Sequence, residues 1–147
     1  MVSHLFIVTN AKYLGDPNAN VFSYGENSKG NLGNVGRGFT PSGFSKATAS
    51  DDLAFWLGST RCGANGGFRS PSVSLIGASD SLVEEFARNL KEDNPYTAVP
   101  GLVWGVNSNS AAQAIANRSQ GSRVLTPGGR WTPGASHSRQ VNFGNSR

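Results

Sequence analysis

The sequence is poor in the residues that build disulfide frameworks and metal sites. Its 147 residues include one cysteine, Cys62, and two histidines, His4 and His137. A single cysteine excludes an internal disulfide framework and a multi-cysteine zinc site. There is no His-x-x-x-His pair and no acidic cluster at ligand spacing, so the sequence predicts neither a bound metal nor a cofactor.

Long apolar runs and charged residues are scarce as well. No apolar run approaches the roughly 20 residues that span a bilayer, and the N-terminus lacks the basic region and apolar length of a secretory signal. We therefore expect a soluble protein, made in the cytoplasm, that an effector delivery system would export without a signal peptide. Charged residues are 15% of the chain, so Gly, Ser, Asn and Thr are expected to cover much of the surface. The length predicts one domain, residues 1–147.

The few charges are unevenly distributed along the chain. All nine acidic residues lie at or before Asp93, and residues 94–147 contain five arginines and no acid. The arginines are Arg118, Arg123, Arg130, Arg139 and Arg147. This C-terminal third would suit an anion, a nucleic acid, a membrane surface or an acidic partner protein. The alternative interpretation is that the arginines are spread over the surface as solubilising charge.

The N-terminal part predicts an antiparallel strand pair. Residues 4–9 and 20–24 are rich in β-forming side chains, and residues 15–18 between them have turn chemistry. Residues 25–45 are rich in glycine and predict a long loop with one short strand at 35–40. Further strands are expected at residues 72–76, 102–106 and 140–143.

Three segments predict helices. Ser50 is a suitable N-cap for residues 51–57. Ser79 or Ser81 opens the next helix, where Ser81 and Glu84 have capping-box spacing and Glu84 is expected to face water. That helix should end at residues 94–95. The third helix, 111–118, is rich in alanine and should pack closely against a sheet. The element order predicts an α+β domain with a mostly antiparallel sheet and about three helices.

The tetrapeptide Asn107-Ser108-Asn109-Ser110 connects a predicted strand to the third helix. In that position the backbone N–H groups and the positive helix end lie beside the Ser108 hydroxyl, where they stabilise negative charge on a nucleophile or an oxyanion. The alternative is plain capping, in which Asn109 or Ser110 satisfies the first N–H groups of the helix.

Two stretches resemble circularly permuted papain-like enzymes, which include the lecithin-retinol acyltransferase-like proteins and the PPPDE deSUMOylating peptidases. They are His4-Leu5-Phe6-Ile7-Val8 and Val21-Phe22-Ser23-Tyr24-Gly25. The resemblance implies that His4 is a general base and that the nucleophile lies in an Asn-Cys-Asn-Ser/Thr turn, where this chain has Ser108. Asn107, Asn109 and Ser110 would then form the turn that holds the oxyanion.

The C-terminal tail has a second resemblance. Its Pro-Gly turns and Arg139-Gln140-Val141-Asn142-Phe143 look like C-terminal domains of bacterial polymorphic toxins, which implies a toxin or effector domain.

These observations give three functional hypotheses. The first is a hydrolase or acyltransferase that uses Ser108 and His4 on an amide or ester bond of a peptide, lipid or cell-wall substrate. The second is a basic, nuclease-like toxin domain with His4 and His137 as acid and base. The third is a non-enzymatic interaction module. Cys62, beside Arg61, is interpreted as a bystander thiol.

Overall fold

The computed structural model describes residues 5–26, 29–34, 52–53, 55–58, 72–91, 93–97, 105–127 and 132–144. The strands are β1 (Ile7–Thr9), β2 (Asn20–Phe22), β3 (Tyr24–Glu26) and β4 (Leu32–Asn34). The helices are α1 (Asp80–Arg88), α2 (Ser108–Gln120) and a 3₁₀ helix (Ala135–Gln140). Residues 52–53 and 55–57 are also helical, as predicted for 51–57.

The predicted hairpin at the start of the chain is confirmed. Strands β1 and β2 pair antiparallel, with Ile7 opposite Phe22. The connecting turn is organised by the buried Asp16, whose carboxylate accepts hydrogen bonds from the backbone N–H groups of Lys12 and Asn18, both at 2.9 Å. These two bonds lower the pKa of Asp16 below its ordinary value. The turn is therefore closed by a carboxylate that stays ionised at neutral pH.

A second strand pair forms inside the predicted glycine-rich loop. Strands β3 and β4 are antiparallel, with Gly25 opposite Gly33. The expected strand at 35–40 lies outside the described residues. The chain is thus α+β, as predicted, but the part that the structure describes has two separate two-stranded sheets in place of one larger sheet.

Helix α1 begins where the sequence predicts, but its acidic side chain has a different role. The Ser79 hydroxyl accepts a hydrogen bond from Leu82 N, so Ser79 is the N-cap. Glu84 does not close a capping box with Ser81 and does not face water. One of its oxygens accepts three hydrogen bonds of 2.7–2.8 Å, from the side chains of Thr9, Asn10 and Asn20. Glu84 therefore ties the first hairpin to α1, and its contacts override the local pattern.

Helix α1 also ends earlier than predicted. Its C-cap is Asn89, whose backbone N–H donates to the carbonyls of Glu85 and Phe86. The expected end at residues 94–95 is therefore wrong by more than one turn. Asn94 holds the chain after the helix, because its side chain bonds the backbone N–H and C=O of Asn142 at 2.7 and 2.9 Å.

The alanine-rich helix α2 lies at the centre of the fold and is longer than predicted. It contacts α1, strand β3 and, most extensively, the 3₁₀ helix, so its main partner is helical and not a sheet. Small side chains allow this close approach on several sides. The core around it is built from fully or nearly fully buried side chains: Phe22, Tyr24, Leu32, Val83, Val106, Ile115 and Val141.

Three predicted strands have other outcomes. Residues 72–76 form no strand, because no neighbouring ladder is found for them in the described part of the chain. The 3₁₀ helix ends at Gln140, and of residues 140–143 Phe143 alone makes a bridge, to Leu90. Residues 101–104 lie outside the described residues, and Val106 forms an isolated parallel bridge with Tyr96.

The bonds at Glu84 predict an acid-sensitive contribution to stability. Burial raises the pKa of Glu84, but the hydrogen bonds from Thr9 and Asn20 and the charge of Arg88 outweigh it, so the pKa lies below its ordinary value of 4.5. A lowered folded-state pKa means that the stabilisation is complete above the unfolded pKa and is lost as the pH falls through the folded-state value. We expect Glu84→Gln to cost about 2 kcal/mol of unfolding free energy at pH 7, measured by urea denaturation.

The cost of Glu84→Gln should shrink steadily below pH 4.5, the ordinary pKa. Asp93→Asn removes the same charge from an exposed position and should change the unfolding free energy little at any pH. A cost for Glu84→Gln that is equal at neutral and acid pH would contradict the assigned role of the carboxylate.

Candidate functional site

The predicted Asn-Ser-Asn-Ser site forms the start of α2, and its first residue caps the helix. Asn107 has extended backbone angles and accepts a hydrogen bond from Ser110 N at 3.0 Å. Its own backbone N–H donates to the Ser110 hydroxyl at 3.2 Å. The two bonds form a reciprocal capping box. The capping interpretation is therefore correct in kind, but the cap is Asn107 and not Asn109 or Ser110.

The same first turn holds the C-terminal tail. The side-chain amides of Asn107 and Asn109 both donate to the carbonyl of Pro133, at 2.9 and 3.0 Å. The Ser110 hydroxyl donates to the carbonyl of Gly134 at 2.7 Å. Three neighbouring buried side chains thus fix the predicted Pro-Gly turn that leads into the 3₁₀ helix.

The first turn also holds the beginning of the chain. The backbone N–H of Leu5 donates to Asn109 Oδ1 at 2.7 Å. Asn109 therefore uses its amide oxygen on Leu5 and its amide nitrogen on Pro133. Segments more than 100 residues apart in sequence meet at this helix end.

Ser108 differs from its three neighbours in burial. It is the first residue of α2 and is half-buried, whereas Asn107, Asn109 and Ser110 are buried. No acidic residue stands in the first turn of the thirteen-residue helix. The positive end of the helix dipole is therefore not offset there by an acidic side chain of the helix itself, and it favours negative charge developing near Ser108.

Of the two histidines, the structure describes His137. His4 lies outside the described residues, as does Cys62. His137 is half-buried in the 3₁₀ helix. Its backbone N–H donates to Gly134 O at 3.0 Å, and its Nδ1 lies 3.3 Å from the hydroxyl of Ser136. Sequence reasoning did not weigh this second serine–histidine pair, whose one signal is the adjacency of the two residues.

The Val21–Gly25 stretch, on which the papain-like resemblance partly depends, is part of the core. Phe22 and Tyr24 are fully buried, and the Tyr24 hydroxyl donates to Ala87 O at 3.4 Å. Burial raises the pKa of Tyr24, so this phenol stays protonated near neutral pH. Between them, the Ser23 hydroxyl donates to the buried carboxylate of Asp52. This pair was missed because residues 29 positions apart carry no local signal.

The described arginines of the C-terminal third lie at the surface. Arg118, Arg123 and Arg139 are exposed, and Arg118 lies over the ring of Phe143 at 5.3 Å from its centroid. Arg130 and Arg147 lie outside the described residues. The cation–π contact places one basic side chain against the tail.

Among the described residues, no group of three or more His, Cys, Asp or Glu side chains is placed to hold a metal ion. No helix in that part of the chain is both long and apolar enough to cross a membrane. No protein-family model, curated protein or solved structure matches the chain.

A glycine in the tail turn should be essential to the first turn of α2. Gly134 has φ +92°, and a Cβ atom there would overlap the side-chain amide of Asn107. We expect Gly134→Ala to cost about 3 kcal/mol of unfolding free energy, since it adds left-handed backbone strain and displaces the cap. Chemical denaturation measures this cost.

Gly121→Ala is the matched control. Gly121 also has a positive φ, +79°, but a Cβ there would meet nothing within 4 Å. Its substitution should cost about 1 kcal/mol, from backbone strain alone. Equal costs at the two glycines would show that the contact with Asn107 contributes nothing.

Proposed function

We propose that the chain is a hydrolase or acyltransferase that cleaves an amide or ester bond, with Ser108 as nucleophile and His4 as general base. The observation that carries the proposal is the hydrogen bond from Leu5 N to Asn109 Oδ1. It joins the residue after His4 to the residue after Ser108. Consecutive Cα atoms are about 3.8 Å apart, so this bond supports a pairing of the histidine and the serine.

The chemistry assigns one role to each group. Ser108 Oγ attacks the substrate carbonyl carbon while His4 takes the hydroxyl proton, because a serine hydroxyl stays protonated at neutral pH and needs a base during attack. The tetrahedral intermediate collapses, His4 returns the proton to the leaving amine or alcohol, and an acyl-enzyme remains. Water then completes hydrolysis, or an acceptor amine or alcohol completes acyl transfer.

The oxyanion is assigned to the backbone of the turn and not to its side chains. The amides of Asn107 and Asn109 and the hydroxyl of Ser110 already bond Pro133, Leu5 and Gly134. They therefore act as positioning residues, which hold the helix start rigid. Backbone N–H groups at the positive helix end supply the electrostatic stabilisation.

A fluorophosphonate probe tests this proposal without knowledge of the substrate. An activated serine forms a P–O bond as the P–F bond breaks and fluoride leaves, while the base takes the hydroxyl proton. We expect intact-mass analysis to find one adduct, at Ser108. It should be absent from Ser108→Ala and at least about 100-fold slower to form in His4→Ala.

Ser136→Ala is the control variant, since the Ser136 hydroxyl lies 3.3 Å from Nδ1 of His137. It should label at the wild-type rate. Labelling at Ser136, no labelling of the wild type, or equal labelling of wild type and His4→Ala would each overturn the proposal. Equal thermal stability of the variants would confirm that they are folded.

A second candidate is a nuclease-like activity, favoured by a related observation. The first turn of α2 bonds both Leu5 and Gly134, and Gly134 O accepts the backbone N–H of His137. Leu5, which follows His4 in the sequence, and the turn before His137 thus bond the same helix end. With exposed arginines nearby in sequence, His4 and His137 would act as acid and base on a phosphodiester.

RNA cleavage distinguishes the two candidates. The nuclease candidate predicts that His137→Ala abolishes cleavage and that Ser108→Ala leaves it unchanged, with binding that weakens steeply as salt rises. Intact RNA after prolonged incubation with the wild-type protein would exclude this candidate.

A further inference from the structure

The side-chain amide of Asn109 bonds Leu5 through its oxygen and Pro133 through its nitrogen, and these roles cannot be exchanged. Its oxygen accepts from Leu5 N at 2.7 Å, and its nitrogen donates to Pro133 O at 3.0 Å. Rotation of the amide by about 180° would set oxygen against the Pro133 carbonyl and N–H against the N–H of Leu5. Asn109 is also 4% exposed, so water cannot compensate, and one orientation of the amide is fixed.

The two bonds of Asn109 differ in whether another residue shares them. The tail turn keeps a bond to the first turn of α2 without Asn109, because Asn107 also donates to Pro133 O at 2.9 Å. Among the described residues, the acceptor for Leu5 N is Asn109 Oδ1 alone. The bond to Leu5 is therefore the one that a substitution of Asn109 removes without a replacement.

The N–H group that Asn109 holds belongs to the peptide group between His4 and Leu5. A peptide group is planar and includes the Cα atoms on both sides, so a bond to its N–H constrains the preceding residue. Leu5 itself packs against the main core, and strand β1 begins at Ile7. Asn109 thus fixes the backbone at the point directly beside His4.

On the basis of the proposed function, we propose that Asn109 is a positioning residue for the general base. Its amide oxygen fixes the peptide group that joins His4 to Leu5 relative to Ser108, and so sets the rate of attack by the serine. Ser108 precedes Asn109 in the first turn of α2, so the same turn carries the nucleophile and holds the backbone beside the base. An error of about 1 Å in such a geometry can slow a reaction about 100-fold.

The rate at which the fluorophosphonate probe labels Ser108 in the intact chain tests this role. We expect Asn109→Ala to slow labelling at least about tenfold, because the base is no longer held beside the serine. In a His4→Ala background the same substitution should change the rate less than about twofold, since its effect passes through the histidine. A residue that only supports the fold would slow labelling by the same factor in both backgrounds.

Asn109→Asp separates the two bonds of the amide. A carboxylate keeps an acceptor for Leu5 N but has no donor for Pro133 O, which retains its bond from Asn107. We expect labelling within about threefold of the wild-type rate at about pH 9, where an imidazole is neutral. As the pH falls, the rate should decline at a higher pH than in the wild type, because a nearby carboxylate favours the protonated imidazole.

Asn117→Ala is the matched control for the loss of an amide connection in α2. Asn117 lies about 12 Å further along the helix axis than Asn109. Its oxygen accepts from Val124 N and from the Gln113 side chain, both at 2.8 Å. The substitution therefore removes two hydrogen bonds from the same helix, and it should leave the labelling rate unchanged.

Failure of this role is distinguishable from failure of the proposed function. Labelling that depends on His4 but is as fast in Asn109→Ala as in the wild type overturns the positioning role alone. Equal slowing by Asn109→Ala in both histidine backgrounds, or by Asn117→Ala, also overturns it. If Asn109→Ala does not fold, Asn109→Asp decides, and a slow rate at about pH 9 or an unshifted pH profile overturns the role. No labelling of the wild type overturns both proposals.

Discussion

The amide of Asn109 holds three parts of the chain together. Its oxygen accepts from Leu5 N and its nitrogen donates to Pro133 O, while its backbone belongs to the first turn of α2. Aspartate in its place would lose the donor, and leucine would lose both bonds, so that Leu5 N would lose this acceptor while Pro133 O would keep the bond from Asn107. The start of the chain, the tail and the central helix meet at this one planar group.

Similar amide connections recur elsewhere and relate to the shortage of charge. Asn94 is fully buried and bonds both backbone groups of Asn142, and Asn117 Oδ1 accepts from Val124 N and from the side chain of Gln113. The composition suggests that asparagine and serine cover the surface, yet several of them are interior connectors. A neutral amide can do this because it supplies both donor and acceptor without the desolvation cost of an ion.

The parts of the fold that could be predicted are those decided by neighbours in sequence. The turn around Asp16 and the Ser79 cap were predictable because each depends on groups a few residues apart. Glu84 shows the limit. Its spacing from Ser81 fits a capping box, but donors 64 to 75 residues away compete for the carboxylate and win. Residues 72–76 show another limit, because alternation indicates extended backbone but a strand also needs a partner.

In the candidate site, too, local features could be predicted from the sequence and long-range contacts could not. The sequence predicted a polar turn at the start of a helix, and capping explains Asn107 and Ser110, which exchange the two capping bonds. The presence of asparagine at position 109 is explained by its hydrogen bonds with Leu5 N and Pro133 O. Neither explanation extends to Ser108, which occupies the first helical position and alone of the four is half-buried. Its three hydrogen-bonded neighbours hold the start of the helix in one geometry, and a nucleophile requires such a preorganised setting. The position of Ser108 thus gives the catalytic proposal a physical basis that the four-residue pattern alone did not provide.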